Sequence, residues 1–164
     1  MSYPDRLAAR IEGDFVVFLI GMRINRLHRP DKWGPVAAAM GRMLPELFAQ
    51  PELGLLGSRT RWAGRHLDLV QYWRSFEHLH AYARARDAAH LPAWRAYNRA
   101  VRGNDAVGVW HETFLVRAGE YEAVYRSMPP YGLAAAAGYV EATGAMQTAT
   151  GRLGREQDAG EAEP

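Results

Sequence analysis

Residues 15–24 read Phe-Val-Val-Phe-Leu-Ile-Gly-Met-Arg-Ile, and no other run in this 164-residue chain constrains its fold as much. β-Branched and aromatic side chains at this density predict a strand. Alternate strand residues point to opposite faces. Val16, Phe18, Ile20, Met22 and Ile24 make one apolar row, expected against helices, and Phe15, Val17, Leu19 and Gly21 make a second that ends at Arg23. A strand that is apolar on both faces has to be covered on both.

The remaining elements follow in a consistent order. A helix is expected from near Trp33 or Pro35, because Val36, Met40, Met43, Leu44, Leu47 and Phe48 recur at three- and four-residue steps. Pro45 inside that run predicts a kink or break. Gly54 to Trp62 and Leu67 to Trp73 read as two strands joined by a turn at Ala63-Gly64-Arg65-His66. Ser75 is a candidate N-cap for a helix from Phe76 to about Ala85, and a second helical piece is expected from Pro92 to Val101. Val107 to Phe114 is the last strand. The order β-α-β-β-α-β is that of an α+β, ferredoxin-like fold. Residues 1–13 read as an N-terminal extension, 14–137 as the domain and 138–164 as a C-terminal segment, disordered from about residue 151.

One sheet face carrying Phe15, Val17, Leu19 and, by this reading, Trp73 is too apolar for water. Pairing two such sheets buries it, so a homodimer enclosing a cavity is expected. The 20 basic and 18 acidic residues nearly balance, and the arginines are scattered between apolar positions, which argues against a nucleic-acid partner. No apolar run is long enough for a transmembrane helix and no secretory leader is visible, so a cytoplasmic protein without a membrane partner is expected. The chain has no cysteine, which removes disulfides, thiolate ligands and a cysteine nucleophile. No GxGxxG follows the first strand, and neither a GxxxxGK nor a GxSxG motif occurs. What survives is cofactor-free or haem-dependent chemistry in an apolar cavity, or simple binding of an apolar small molecule.

His111 and Glu112 interrupt an otherwise apolar strand and point to opposite faces. Buried polar groups need partners, so this strand is the first place to seek a site. His111 is a candidate proton-transfer base or, if haem is present, an axial ligand; the alternative is a buried histidine bonded to a backbone carbonyl. Glu112 is a candidate acid or base, or an ion-pair partner of an arginine. His90 is the other candidate haem ligand, and with Trp94 it would share a helix face if the helix began that early. Adjacent strand residues diverge, so no protein-ligated metal site is expected at His111 and Glu112.

The segments Val70 to Glu77, His90 to Trp94, Gly108 to Thr113 and Tyr121 to Leu133 resemble the fumagillin-cluster monooxygenase-like family, one of the dimeric α+β barrel proteins. The resemblance spans roughly residues 15–137 and implies a small dimeric barrel that oxidises a hydrophobic secondary metabolite. On that basis His111, aided by Glu112 or Arg23, would remove a proton. Trp73, Trp94, Trp110, Tyr125 and Met128 would contact the substrate, and the cofactor would be either none or haem.

Overall fold

The computed structural model describes residues 5–84, 98–99 and 101–155. Chain packing divides it into two units, residues 16–114 and residues 1–15 with 115–164.

The first unit holds the β-α-β-β-α-β order read from the sequence: β2 (Phe15–Ile24), α1 (Pro30–Ala49), β3 (Leu55–Ala63), β4 (His66–Trp73), α2 (Phe76–Arg84) and β5 (Val107–Val116), numbered after the short β1 (Arg6–Ala9). Sheet order is β3-β4-β2-β5. β2 and β5 are therefore neighbours although distant in sequence, as the ferredoxin-like arrangement requires. β4 is antiparallel to both β2 and β3, with Leu19 opposite Val70 and Ser58 opposite Gln71. Ala63 pairs with His66, so the hairpin turn is Gly64-Arg65, and Gly64 adopts φ +58°. That value suits glycine because it has no Cβ to clash.

Helix α1 starts at Pro30, earlier than its hydrophobic spacing predicts. Proline is favoured in a first turn, where its missing N–H would have had no partner. Both Pro35 and Pro45 lie inside the helix, which nevertheless continues to Ala49. The expected break at Pro45 is absent, although the carbonyls of Asp31 and Gly41 lose their usual helical donors.

The helix-facing row of β2 behaves as its pattern demands. Met22 and Ile24 pack with Val36, Ala39, Met40, Leu67, Leu69 and Val107. Val16 packs with Leu47, Leu55, Trp73 and Leu79 in a second cluster. Trp73 belongs here, fully buried, and not on the open face to which the sequence reading assigned it. The alternation of β4 explains this: Leu67, Leu69, Gln71 and Trp73 share one buried face. On the opposite face Val17, Leu19, Val70 and Tyr72 are half-buried and Arg23 is exposed.

The second unit contains a three-stranded sheet in the order β6-β1-β7, with β6 at Val124–Arg126 and β7 at Tyr139–Glu141. Part of the expected N-terminal extension is thus a strand, with Leu7, Ala8 and Ala9 buried. Phe15 packs edge-on against Tyr121, their ring centres 5.3 Å apart. Helices α3 (Leu133–Ala137) and α4 (Ala149–Arg152) complete the unit. α4 straddles residue 151, where disorder was expected to begin. Its Arg152 has a side chain only 3% exposed, paired with Glu122 and donating to the carbonyls of Met146 and Gln147.

Two stability outcomes follow from this packing. Trp73→Ala should cost about 3–5 kcal/mol, as expected for an emptied aromatic core site, and Val17→Ala distinctly less. A Cβ on Gly21 would lie 2.5 Å from Asp68 Oδ1 and 2.7 Å from Trp110 Nε1. Gly21→Ala should therefore cost about 1–3 kcal/mol by overpacking, with partial recovery when Trp110→Ala is added. Urea unfolding midpoints measure both, and an unchanged midpoint for Gly21→Ala would show that the indole yields freely.

Candidate functional site

Between the sheet and helices α1 and α2 lies a cavity of about 80 Å³. Phe18, Leu69 and Trp73 line it from the sheet, Met40, Met43, Leu44 and Leu47 from α1, and Leu79 and Tyr82 from α2. Its polar content is small and specific. Gln71, itself buried, also lines it. Gln71 Oε1 accepts the Trp73 indole N–H at 3.0 Å, which fixes the amide and leaves its NH₂ as the donor group. Cross-strand from Gln71, Ser58 Oγ is buried with no hydrogen-bond partner among the described residues. Tyr82 lies 5.6 Å from Trp73, ring to ring. Burial, helped by the nearby Glu46 carboxylate, pushes the Tyr82 phenol well above its ordinary range. Its hydroxyl stays protonated at any physiological pH.

His111 does not line this cavity but meets one of its walls. On β5, Val107 joins the helix-side core, so His111, four residues on, faces the same side. Its imidazole is 5.8 Å from the Phe18 ring, and Phe18 is a cavity wall. The sequence reading placed His111 and Glu112 in a buried strand; both are exposed, because β5 is an edge strand. The argument that burial forces a partner on them does not apply.

Arg23, Glu112 and Trp110 lie on the other face of the sheet. Trp110 covers Gly21 there, next to Asp68, whose Oδ1 is buried without a hydrogen-bond partner among the described residues. Arg23 donates to Asn25 Oδ1, and Asn25 donates to the Asp105 carbonyl at 3.2 Å. The structure does not bring His111 together with Glu112 and Arg23, because strand alternation separates them. Tyr125 lies in β6 of the second unit, where its hydroxyl accepts from the Ala134 N–H at 3.3 Å. Met128 follows in the same unit, half-buried. His90 and Trp94, with most of the expected second helical piece, lie outside the described residues.

Gln71, Ser58, Tyr82 and Asp68 were not among the candidates drawn from the sequence. One signal was available. In the alternating strand from Leu67 to Trp73, Gln71 is the amide in an otherwise apolar row. Haem does not fit the described residues as they stand. Pockets for ligands of that order enclose roughly 300–1,000 Å³, whereas this cavity encloses about 80 Å³. No group of three or more metal-ligating side chains occurs among the described residues, and no described helix is long and apolar enough to cross a membrane.

Comparison with known proteins agrees with this architecture. Monooxygenase af470 of Aspergillus fumigatus is 31% identical over 130 residues, covering 73% of this chain and 45% of the relative. The chain therefore spans less than half of that protein's length. An aldoxime dehydratase crystallised with butyraldoxime superposes with a TM-score of 0.65 at 16% identity, over 82% of this chain and 40% of that one. A second aldoxime dehydratase structure gives 0.52 at 19% identity, over 85% and 39%. These two likenesses are likenesses of fold. A sequence profile described as Monooxygenase af470-like matches residues 15–133, nearly the whole ferredoxin-like region, and the chain belongs to that family.

Proposed function

We propose that this chain is a monooxygenase-type oxidoreductase that acts on an apolar small molecule in the cavity between the sheet and helices α1 and α2. The observation that carries this reading is the cavity itself: an apolar enclosure with one buried amide, fixed by an indole, and an imidazole next to one wall. Membership of the family supports oxidation as the chemistry. Apolar walls suit both a hydrophobic substrate and molecular oxygen. The Gln71 NH₂ suits a carbonyl or hydroxyl oxygen of the substrate, because a directed donor in a dry site gains strength from the low dielectric.

In the cofactor-free form, a methylene made acidic by adjacent unsaturation gives a proton to His111. The carbanion adds molecular oxygen, and breakdown of the resulting hydroperoxide leaves a carbonyl and releases water. Glu112 and Arg23, on the far face, take no part in that proton transfer. The half-buried apolar residues of that face, Val17, Leu19, Val70 and Tyr72, support pairing with a second copy of the chain.

His111→Ala should lower oxygen consumption with a small apolar compound carrying a methylene flanked by unsaturation by roughly 10²–10⁴-fold, the usual loss for a general base, with little change in melting temperature. A variant as active as the parent would remove His111 from the mechanism. Leu44→Trp should block the cavity and abolish turnover with the fold intact. Titration with haemin separates the alternatives: a Soret band that moves in His111→Ala would replace the cofactor-free scheme with a haem-dependent one. Ligand binding without oxygen consumption in either state would make the chain a binding module. Light scattering at micromolar concentration should give twice the chain mass; a folded monomer would remove the pairing proposal.

A further inference from the structure

The end of the sheet where β2 stops is held together by backbone hydrogen bonds from Ile24 N–H to the Arg65 carbonyl and from Asn25 N–H to the Ala106 carbonyl, at 2.7 and 2.8 Å. These bonds tie the end of β2 to the hairpin turn and to the loop before β5, and Asn104 ties that loop to the first turn of α1. A second cavity of about 380 Å³ opens there, distinct from the apolar one, and its walls are charged. Lys32, Arg99 and Arg102 line it together with Asp31, Asp105 and Asn104.

The two carboxylates are already engaged. Arg29 holds Asp31 through paired bonds of 2.9 and 2.8 Å, and Arg26 holds Asp105. The Arg29 bond also keeps the Asp31 carboxyl below its usual range, so it remains an anion matched to that arginine. Asn104 is fixed in turn, donating to the Lys32 carbonyl at 3.1 Å and accepting from the Ala106 N–H. Arg26 and Arg29 thus match the two carboxylates, and Lys32, Arg99 and Arg102 in the cavity wall contribute the surplus. Each of these cations is exposed and would gain little from an isolated ion pair. Convergence on a concave surface changes this, because with both carboxylates already matched by Arg26 and Arg29 the three cations leave the cleft a net positive field. Guanidinium groups also match the oxygens of a phosphate in a way that a monovalent chloride cannot exploit.

We propose that this cavity binds a phosphate-type anion, either free or carried as the phosphate group of a larger molecule, with Arg99, Arg102 and Lys32 as its ligands. The site is separate from the apolar cavity, and its existence does not depend on the oxidation chemistry. Inorganic phosphate and pyrophosphate, titrated calorimetrically at constant ionic strength in chloride, should bind saturably with one site per chain. The double variant Arg99→Gln/Arg102→Gln should weaken binding on the order of tenfold or more while melting like the parent. Arg42→Gln, an exposed position of α1 outside the cavity, should leave binding unchanged. Vesicles of phosphatidylcholine with and without phosphatidic acid identify the source. Sedimentation with the acidic vesicles that inorganic phosphate reverses would indicate a lipid headgroup, and phosphate binding without sedimentation a soluble ligand. No saturable phosphate binding, equal weakening by Arg42→Gln, or vesicle binding that phosphate does not reverse would each overturn the proposal.

Discussion

Burial of the helix-facing row of β2 against α1 is the contact on which the rest of the larger unit depends. Met22 and Ile24 meet Val36, Ala39 and Met40, and the neighbouring strands contribute Leu67, Leu69 and Val107 to the same cluster. Burying side chains of this size stabilises by about 1.5–3 kcal/mol each, so this layer sets both the position of the helix and the order of the strands. Toward Val16 and Leu47 the cluster gives way to a second one around Trp73. The apolar cavity borders both clusters, bounded by side chains whose main work is packing.

A consequence is that the polar groups of the candidate site are held by structure and not by one another. Gln71 is oriented by Trp73, which is immobilised by the core. His111 is aimed by the alternation of β5, which Val107 anchors at its buried end. Strand parity also sends Arg23, Glu112 and Trp110 to the opposite surface. The two faces of one sheet thus carry unlike groups: Gln71, Trp73 and His111 on one side, and Asp68, Arg23, Glu112 and Trp110 on the other.

Much of this was legible in the sequence, for physical reasons. The strand at residues 15–24 and the Gly64-Arg65 turn follow from period-two burial and from glycine's tolerance of positive φ. α1 was legible as a helix but not at its start, since Pro30 contributes no hydrophobic spacing. Trp73 was misplaced because its size and apolarity suit either face, and only the register of β4 decides between them. The burial assigned to His111 and Glu112 failed because the apolar composition of a strand says nothing about whether it lies at an edge. β1 escaped notice because four residues, Arg-Leu-Ala-Ala, are too short a pattern to separate from a loop. Tyr82 lay on a helix whose apolar face was only partly visible, and its buried hydroxyl depends on neighbours distant in sequence.

The uninterrupted passage of α1 through Pro45 bears on the stiffness of one cavity wall. Met40, Met43, Leu44 and Leu47 all face it within two turns of that proline. There the helix lacks a backbone bond to the Gly41 carbonyl, because Pro45 has no N–H to donate. A helix weakened at this point bends more easily than a fully bonded one, and methionine side chains refill uneven space at small cost. The wall is therefore compliant along the stretch that lines the cavity, while the sheet opposite stays rigid.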